Sequence, residues 1–182
     1  MALRYEVRLS GEGGQGLVLA GKVLAEAAAL YDDKNATQSQ SYGPEARGGA
    51  SRSEVIISDE EIDYPKAVNI DFLLALTQEA CDKYVHDLKS DGVLLVDSDS
   101  VENIPDGSFT TYSVPIVKVA REEVGRALVA NIVALGVITA ISNVVTRESM
   151  EFAIRARVPK GTEELNLRAF KAGLEEGKKL IK

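Results

Sequence analysis

Tyr5-Glu6-Val7-Arg8-Leu9-Ser10-Gly11-Glu12-Gly13-Gly14-Gln15-Gly16 reads as a strand running into a glycine-rich turn. Tyr5, Val7 and Leu9 share one face at the strand period of two. Beyond the turn, Leu17, Gly21, Leu24 and Ala28 recur at helical spacing, so a helix is predicted to about Ala29. The glycines therefore sit at a strand-to-helix junction. Glycine accepts positive φ and has no Cβ, so the helix's free N–H groups and the positive end of its dipole can meet an anion such as a phosphate. A plain tight turn, in which Gly13 or Gly16 only lets helix and strand pack closely, fits the same spacing.

Working outward, Asn35-Ala36-Thr37-Gln38 is a candidate second strand, and Ser51 to Ser58 alternates as a third, ending at Asp59-Glu60-Glu61. Phe72 to Leu76 and Val93 to Val96 are short continuous apolar runs, the pattern of strands buried on both faces of a parallel sheet. Between them Thr77 is placed to cap a helix to about Lys89, and Asp91-Gly92 to turn the chain. Asp97-Ser98-Asp99-Ser100 follows, carboxylates that suit either turn chemistry or a magnesium ion. A strand is expected around Thr110 to Val114, then a helix opened by Pro115 and running through Val119 to Val124. Leu128, Ile132, Leu135 and Thr139 mark a helix apolar almost all round, hence buried. Thr146 caps a helix containing Phe152 and Ile154, Pro159-Lys160-Gly161 breaks it, and Leu167, Phe170, Leu174 and Ile181 stripe the last helix. Strands and helices alternate throughout. The predicted fold is α/β, a three-layer Rossmann-like sandwich on a mostly parallel central sheet, with residues 1–182 forming a single domain.

With 182 residues, 45% of them hydrophobic, there is enough material for one substantial core. Acidic residues outnumber basic ones, 28 to 21, and the net charge of −7 argues against nucleic acid or anionic lipid as a partner. The longest apolar stretch, Val124 to Val145, is interrupted by Gly125, Arg126, Asn131 and Gly136, so no membrane span is expected and the chain reads as cytoplasmic. Cys81 is the only cysteine and His86 the only histidine. That excludes an intrachain disulfide and a cysteine-ligated cluster or zinc site, so no metal ligands are assigned. Cys81 shares a helical stripe with Ala80, Tyr84 and Leu88 and is expected to be a buried, inert thiol. No catalytic acid, base or nucleophile is assigned.

A nicotinamide-binding fold would want an acidic residue at the end of the second strand. Gln38 stands there, and Asp32 and Asp33 precede the strand. From Gln38 the chain runs Ser39-Gln40-Ser41-Tyr42-Gly43-Pro44-Glu45-Ala46-Arg47-Gly48-Gly49-Ala50, dense in hydrogen-bonding groups, with bends at Gly43-Pro44 and Gly48-Gly49. Arg47 offers a planar fork for a phosphate or a carboxylate, and an internal pair with Glu45 fits equally.

Taken together, Gly11-Glu12-Gly13-Gly14-Gln15-Gly16 with Ala20-Gly21, the Gln38 to Gly49 segment, Ser58-Asp59-Glu60-Glu61-Ile62, Asp97-Ser98-Asp99 and Asn131 to Gly136 form a familiar set. The chain resembles the gamma subunit of the 2-oxoacid:ferredoxin oxidoreductases, which decarboxylate a 2-oxoacid, reduce ferredoxin and form acyl-coenzyme A. The resemblance spans almost the whole chain, and Gly-Pro-Glu-Ala-Arg-Gly-Gly is its most specific part. It implies that Gly11, Gly13, Gly14, Gln15 and Gly16 cradle a coenzyme A phosphate. It also implies that Gln38, Ser39, Ser41, Tyr42, Glu45, Arg47, Gly48 and Gly49 face the interface or the active site. Thiamine diphosphate, magnesium and iron–sulfur clusters would sit in partner alpha, beta and ferredoxin-like delta subunits, with ferredoxin as acceptor. Among substrates, 2-oxoglutarate is favoured over pyruvate because the Gly-Gly-Gln-Gly form resembles that branch most. Two other readings stay open: a free-standing dinucleotide-binding oxidoreductase, and an assembly subunit with a vestigial glycine loop.

Overall fold

A computed structural model describes residues 2–41 and 49–182. Tyr42, Glu45, Arg47 and Gly48 lie outside the described residues. The described residues form six strands: β1 (Arg4–Glu12), β2 (Asn35–Ser41), β3 (Ala50–Ser58), β4 (Ile70–Ala75), β5 (Leu88–Asp97) and β6 (Thr110–Val114). Six α-helices accompany them: α1 (Leu17–Glu26), α2 (Gln78–Tyr84), α3 (Ile116–Val119), α4 (Ala130–Ser142), α5 (Arg147–Arg157) and α6 (Glu163–Leu180). The strands make one sheet in the order β2-β3-β1-β4-β5-β6. β1, β4, β5 and β6 pair in parallel, while β3 runs antiparallel between β1 and β2. The sheet is thus mixed, with helices on both sides, as the α/β reading requires.

Alternation along the strands decides what each face buries. Val7, Leu9, Val55, Ile57, Phe72, Leu74 and Leu95 belong to the larger core with α1, α3, α4, α5 and α6. Ile56, Ile70, Leu73, Ala75, Leu94 and Val96 belong to a smaller core with Ala80, Cys81 and Tyr84 of α2. On that second side β1 and β3 also carry charge. Arg8, 3% exposed, donates through Nε and Nη2 to Glu54 Oε2 at 3.0 and 2.9 Å and through Nη1 to Asp87 at 2.5 Å. Its guanidinium also lies 5.2 Å from the centre of the Tyr84 ring. Removing one partner of such a pair strands the other charge in the interior, a loss of about 3 to 5 kcal/mol.

Several boundaries differ from the sequence reading. The first helix closes with a wider π turn over Ala27–Tyr31, and the second strand runs on to Ser41. Helix α2 stops at Tyr84, so Leu88 and Lys89 belong to β5. Asp91-Gly92 is not a free turn but part of an irregularity inside β5, where the register jumps from Ile70↔Leu88 to Phe72↔Val93. The sequence shows the apolar strand but not this bulge, because pairing with β4 decides it. Leu128 precedes α4 in a short 3-10 turn and is 74% exposed, in contrast with the buried stripe expected there. Ile181 likewise lies beyond α6 and is exposed. Among the described residues no helix is long and apolar enough to cross a membrane.

Helix α4 is buried from Ala130 through Thr139, on every side. It packs against α6 through glycines. A Cβ on Gly173 would lie 2.9 Å from the Val133 carbonyl carbon and 3.0 Å from Gly136 Cα. Both neighbours are backbone and cannot rotate away. Helix propensity alone would reward Gly173→Ala with about 1 kcal/mol, so the sign of the change reports which effect wins. Gly173→Ala is expected to lower stability in urea unfolding by about 3 kcal/mol, because backbone must separate to admit the methyl. Gly13→Ala, where nothing lies within 4 Å of the added carbon, should stay within about 0.5 kcal/mol of the parent.

Candidate functional site

The glycine turn begins where β1 ends. Ser10 is buried, its hydroxyl donating to Leu74 O at 2.6 Å, and its carbonyl accepts from Leu76 N at 3.0 Å. Gly11 is still within the strand, opposite Ser51 of β3. Gln15 then folds back, its Oε1 accepting from Glu12 N at 2.8 Å, which closes the turn. Gly14 and Gly16 both stand in the left-handed region, at φ 91° and 73°. Gly16 is the N-cap of α1, and among the described residues no side chain caps that end. The helix therefore presents its first-turn N–H groups without the usual serine, threonine or aspartate oxygen. Glu12, Gly13 and Gly14 are exposed, and a Cβ at Gly13 or Gly14 would meet open space. Gly14 and Gly16 are needed for backbone shape, Gly13 leaves the approach open, and Gly11 serves close packing beneath Gln15.

The location follows from topology. α1 leaves β1 toward β2 and covers one face, while the chain leaves β4 through α2 on the other face. The junction of β1 and β4 is thus the point where the winding reverses, the place where open α/β sheets bind ligands at the carboxyl ends of strands. A depression of ≈ 280 Å³ lies there, lined by Gly14, Gln15, Leu76, Val117, Ala127, Leu128 and Ala130. A second, of ≈ 210 Å³, adjoins it on the other side of Leu128 and includes Gly16, Leu19, Arg126, Asn131 and Leu165. Arg126 makes no ion pair among the described residues and brings a positive charge to the rim beside the loop. Sequence reading took Leu128 for a buried helix residue and gave Arg126 no part in the site, because only the fold of the 3-10 turn before α4 brings them to Gly16.

The other residues singled out from sequence divide. Gln38 points inward, its Nε2 donating to Ser53 Oγ at 3.0 Å beside Gly21 of α1, so it helps seat the helix on the sheet. Ser39 and Ser41 are exposed on β2, the edge strand, and Gly49 is half-buried at the bend before β3. Register brings this region to the glycine loop. Ser41 faces Arg52, Gly11 faces Ser51 and Glu12 faces Ala50. The two ends of the Gln38 to Gly49 segment therefore meet the sheet at the same edge as the loop.

Asp32 is not free for a ribose. Its carboxylate accepts from Thr146 N, Thr146 Oγ1 and Ser149 Oγ at 2.7, 2.8 and 2.5 Å, which ties the end of the first helical segment to the N-terminus of α5. Asp97, fully buried, accepts from Val117 N at 3.1 Å, and its own carbonyl closes the turn to Ser100 and Val101. Among the described residues no group of three or more histidine, cysteine or carboxylate side chains could hold a metal ion. Burial, helped by the charge of Asp82, pushes the Cys81 thiol up to about 11, so it is protonated at neutral pH. His86 is exposed.

The family described as pyruvate ferredoxin/flavodoxin oxidoreductase matches residues 6–176. The chain is 56% identical to 2-oxoglutarate synthase subunit KorC of Methanocaldococcus jannaschii, over 98% of this chain and 96% of that protein. Its structure resembles that of the gamma subunit of a keto/oxoacid ferredoxin oxidoreductase from Geobacter sulfurreducens, at 57% identity and TM-score 0.87, covering 95% of this chain and 98% of that one. The same fold recurs, at 21% identity and TM-score 0.85, in 2-oxoglutarate:ferredoxin oxidoreductase from Magnetococcus marinus solved with 2-oxoglutarate, coenzyme A and succinyl-CoA. That match covers 97% of this chain and 31% of the longer one.

Burial opposes ionisation of Asp32, but the bonds from Ser149 and Thr146 and the charge of Lys34 outweigh it, and its pKa is held below the ordinary carboxylate value. A depressed folded pKa means that the contribution is complete above the unfolded value of about 3.9 and is lost as pH falls through the folded one. Asp32→Ala is expected to cost about 1 kcal/mol at pH 7. Urea midpoints of variant and parent should converge on acidification below about pH 4.

Proposed function

Because the chain belongs to the pyruvate ferredoxin/flavodoxin oxidoreductase family, we propose that it is the gamma subunit of a multisubunit 2-oxoglutarate:ferredoxin oxidoreductase and presents coenzyme A to the reaction. The observation that carries the coenzyme A role is the uncapped N-terminus of α1. Two left-handed glycines precede it, with open space above them, at the winding reversal of the sheet. A diphosphate or phosphate there gains hydrogen bonds from N–H groups that the protein leaves unpaired, plus the helix dipole. Arg126 adds a cation at the rim, and Leu19, Leu128 and Leu165 offer an apolar wall for the ligand's flexible arm. The 2-oxoglutarate assignment rests on the strong identity to subunits of that name.

What this chain's side chains do is bind and orient. A single buried cysteine cannot ligate an iron–sulfur cluster, and no Gly-Asp-Gly thiamine motif is present, so the residues here do not fit either group. Thiamine diphosphate, magnesium and the clusters then belong to alpha, beta and ferredoxin-like delta partners, with ferredoxin as acceptor and the cytoplasm as compartment. The edge formed by the glycine loop, Ser39, Ser41 and Gly49 faces those partners, and the family resemblance gives Tyr42, Glu45, Arg47 and Gly48 the same role. With Asp32 committed to capping α5 and Gln38 bound to Ser53, the carboxylate expected of a dinucleotide-binding strand is missing from the end of β2.

Gly14→Val tests this reading in the assembled enzyme. Its Cβ meets no atom within 4 Å, so the fold should persist, at a cost of about 1 to 2 kcal/mol for the left-handed backbone. A branched side chain would hold a phosphate away from the N–H groups, and one charge-assisted contact is worth about 1.5 to 3 kcal/mol. The KM for coenzyme A should rise at least roughly tenfold while the KM for 2-oxoglutarate stays put. Unchanged coenzyme A kinetics in a normally assembled variant would move the site elsewhere.

A further inference from the structure

We propose that Asn131 is the positioning residue of the glycine loop, setting the height and tilt of the Gly14–Gly16 backbone from the buried helix α4. The inference rests on the coenzyme A reading above and names the element that keeps that site in shape. A loop with two left-handed glycines and no side-chain cap has little of its own to hold it. Its local bonds, Glu12 N to Gln15 Oε1 and Gln15 N to Glu12 O, close the turn but do not fix it to the rest of the protein. Asn131 does. Its Nδ2 donates to Gly16 O at 3.0 Å across 115 residues of sequence.

The orientation of that amide is determined. Asn131 Oδ1 accepts from Ile132 N at 2.9 Å, so the oxygen is committed to the first turn of α4 and the nitrogen must face Gly16. The side chain is 4% exposed, on a helix buried all round, and so it is an anchor that cannot drift. Gly16 O also accepts from Ala20 N at 3.1 Å. The second bond therefore adds direction rather than satisfying an orphan carbonyl. Contact is tight enough to be reciprocal, since a Cβ at Gly16 would lie 2.5 Å from Asn131 Nδ2. Position 16 is thus held to glycine twice, by its backbone angle and by the amide above it. Both residues border the same cavity, so a shift of one reshapes the wall that a ligand meets.

The test uses the assembled enzyme carrying Asn131→Asp or Asn131→Ala, with Gly14→Val as reference. Loss of one neutral hydrogen bond, about 1 kcal/mol, corresponds to an approximately fivefold rise in the KM for coenzyme A in the alanine variant. The aspartate variant should exceed that, because a carboxylate oxygen then faces the Gly16 carbonyl. Both should keep kcat and the KM for 2-oxoglutarate within about twofold, and amide hydrogen exchange over residues 13–18 should accelerate. A merely structural asparagine would instead lower the apparent kcat through lost folded enzyme and leave both KM values unchanged. That result, or unchanged exchange, overturns the proposal. A raised KM in Gly14→Val beside an unchanged one in both Asn131 variants overturns it while sparing the coenzyme A reading. An unchanged KM in all three variants overturns both. Melting of Gly16→Ala with and without Asn131→Ala gives an independent check. The methyl should cost less stability once the amide is gone, and strictly additive losses count against the contact.

Discussion

The backbone contact between α4 and α6 is the constraint on which the rest depends. Gly136 and Gly173 let two helices approach until carbonyl and Cα atoms touch, a separation that any side chain would prevent. With α6 that close and α1 and α3 also packed on it, α4 is covered on every side and must be apolar all round, as its sequence is. A helix held this rigidly makes a reliable platform. Its N-terminal end carries Asn131, and through Asn131 the packing of the helical layer reaches the glycine loop at the carboxyl edge of β1.

The two faces of the sheet solve different problems. The face under α1, α3, α4, α5 and α6 is an ordinary apolar core, and hydrophobic burial dominates there. The opposite face, at β1 and β3, buries Arg8 with Glu54 under Tyr84, and Glu6 accepts from the backbone of Val68 and Asn69 at 2.9 and 2.8 Å. Burial of these charges adds little net stability compared with apolar packing. What it does supply is register. A one-residue slip of β1 against β3 would leave Arg8 without Glu54, and the same slip would carry Gly11 and Glu12 away from Ser51 and Ala50. The alignment of the two loop ends at the ligand edge is thereby tied to an ion pair on the far side of the sheet.

Such an arrangement suits the presenting role proposed for this subunit. Its thiol is buried and protonated, its one histidine is solvated, and Asp32 and Asp97 accept hydrogen bonds from backbone N–H groups. What remains open to solvent at the switch point is backbone N–H, a single arginine and apolar side chains. Those groups match the anion with a flexible tail that the proposed coenzyme A role calls for.

Sequence by itself determined the α/β class, the strand-to-helix glycine junction, the buried α4 and the absence of cluster ligands. Each of these rests on periodicity, local backbone chemistry or a plain residue count, which the chain carries in one dimension. The motif set also pointed to the family, and the profile and the relatives bear that out. Other features waited for the tertiary structure. Leu88 looked helical because its spacing from Cys81 and Tyr84 fits a helix, yet pairing with Ile70 makes it a strand residue. Leu128 looked buried for the same reason, and a 3-10 turn swings it out to divide two cavities. Asp32, just ahead of the second strand, looked like a turn residue, but its partners Thr146 and Ser149 lie more than a hundred residues away. Asn131 was legible only as part of a motif. Its task depends on which carbonyl sits 3.0 Å from its nitrogen, and only the packing of α4 against α1 decides that.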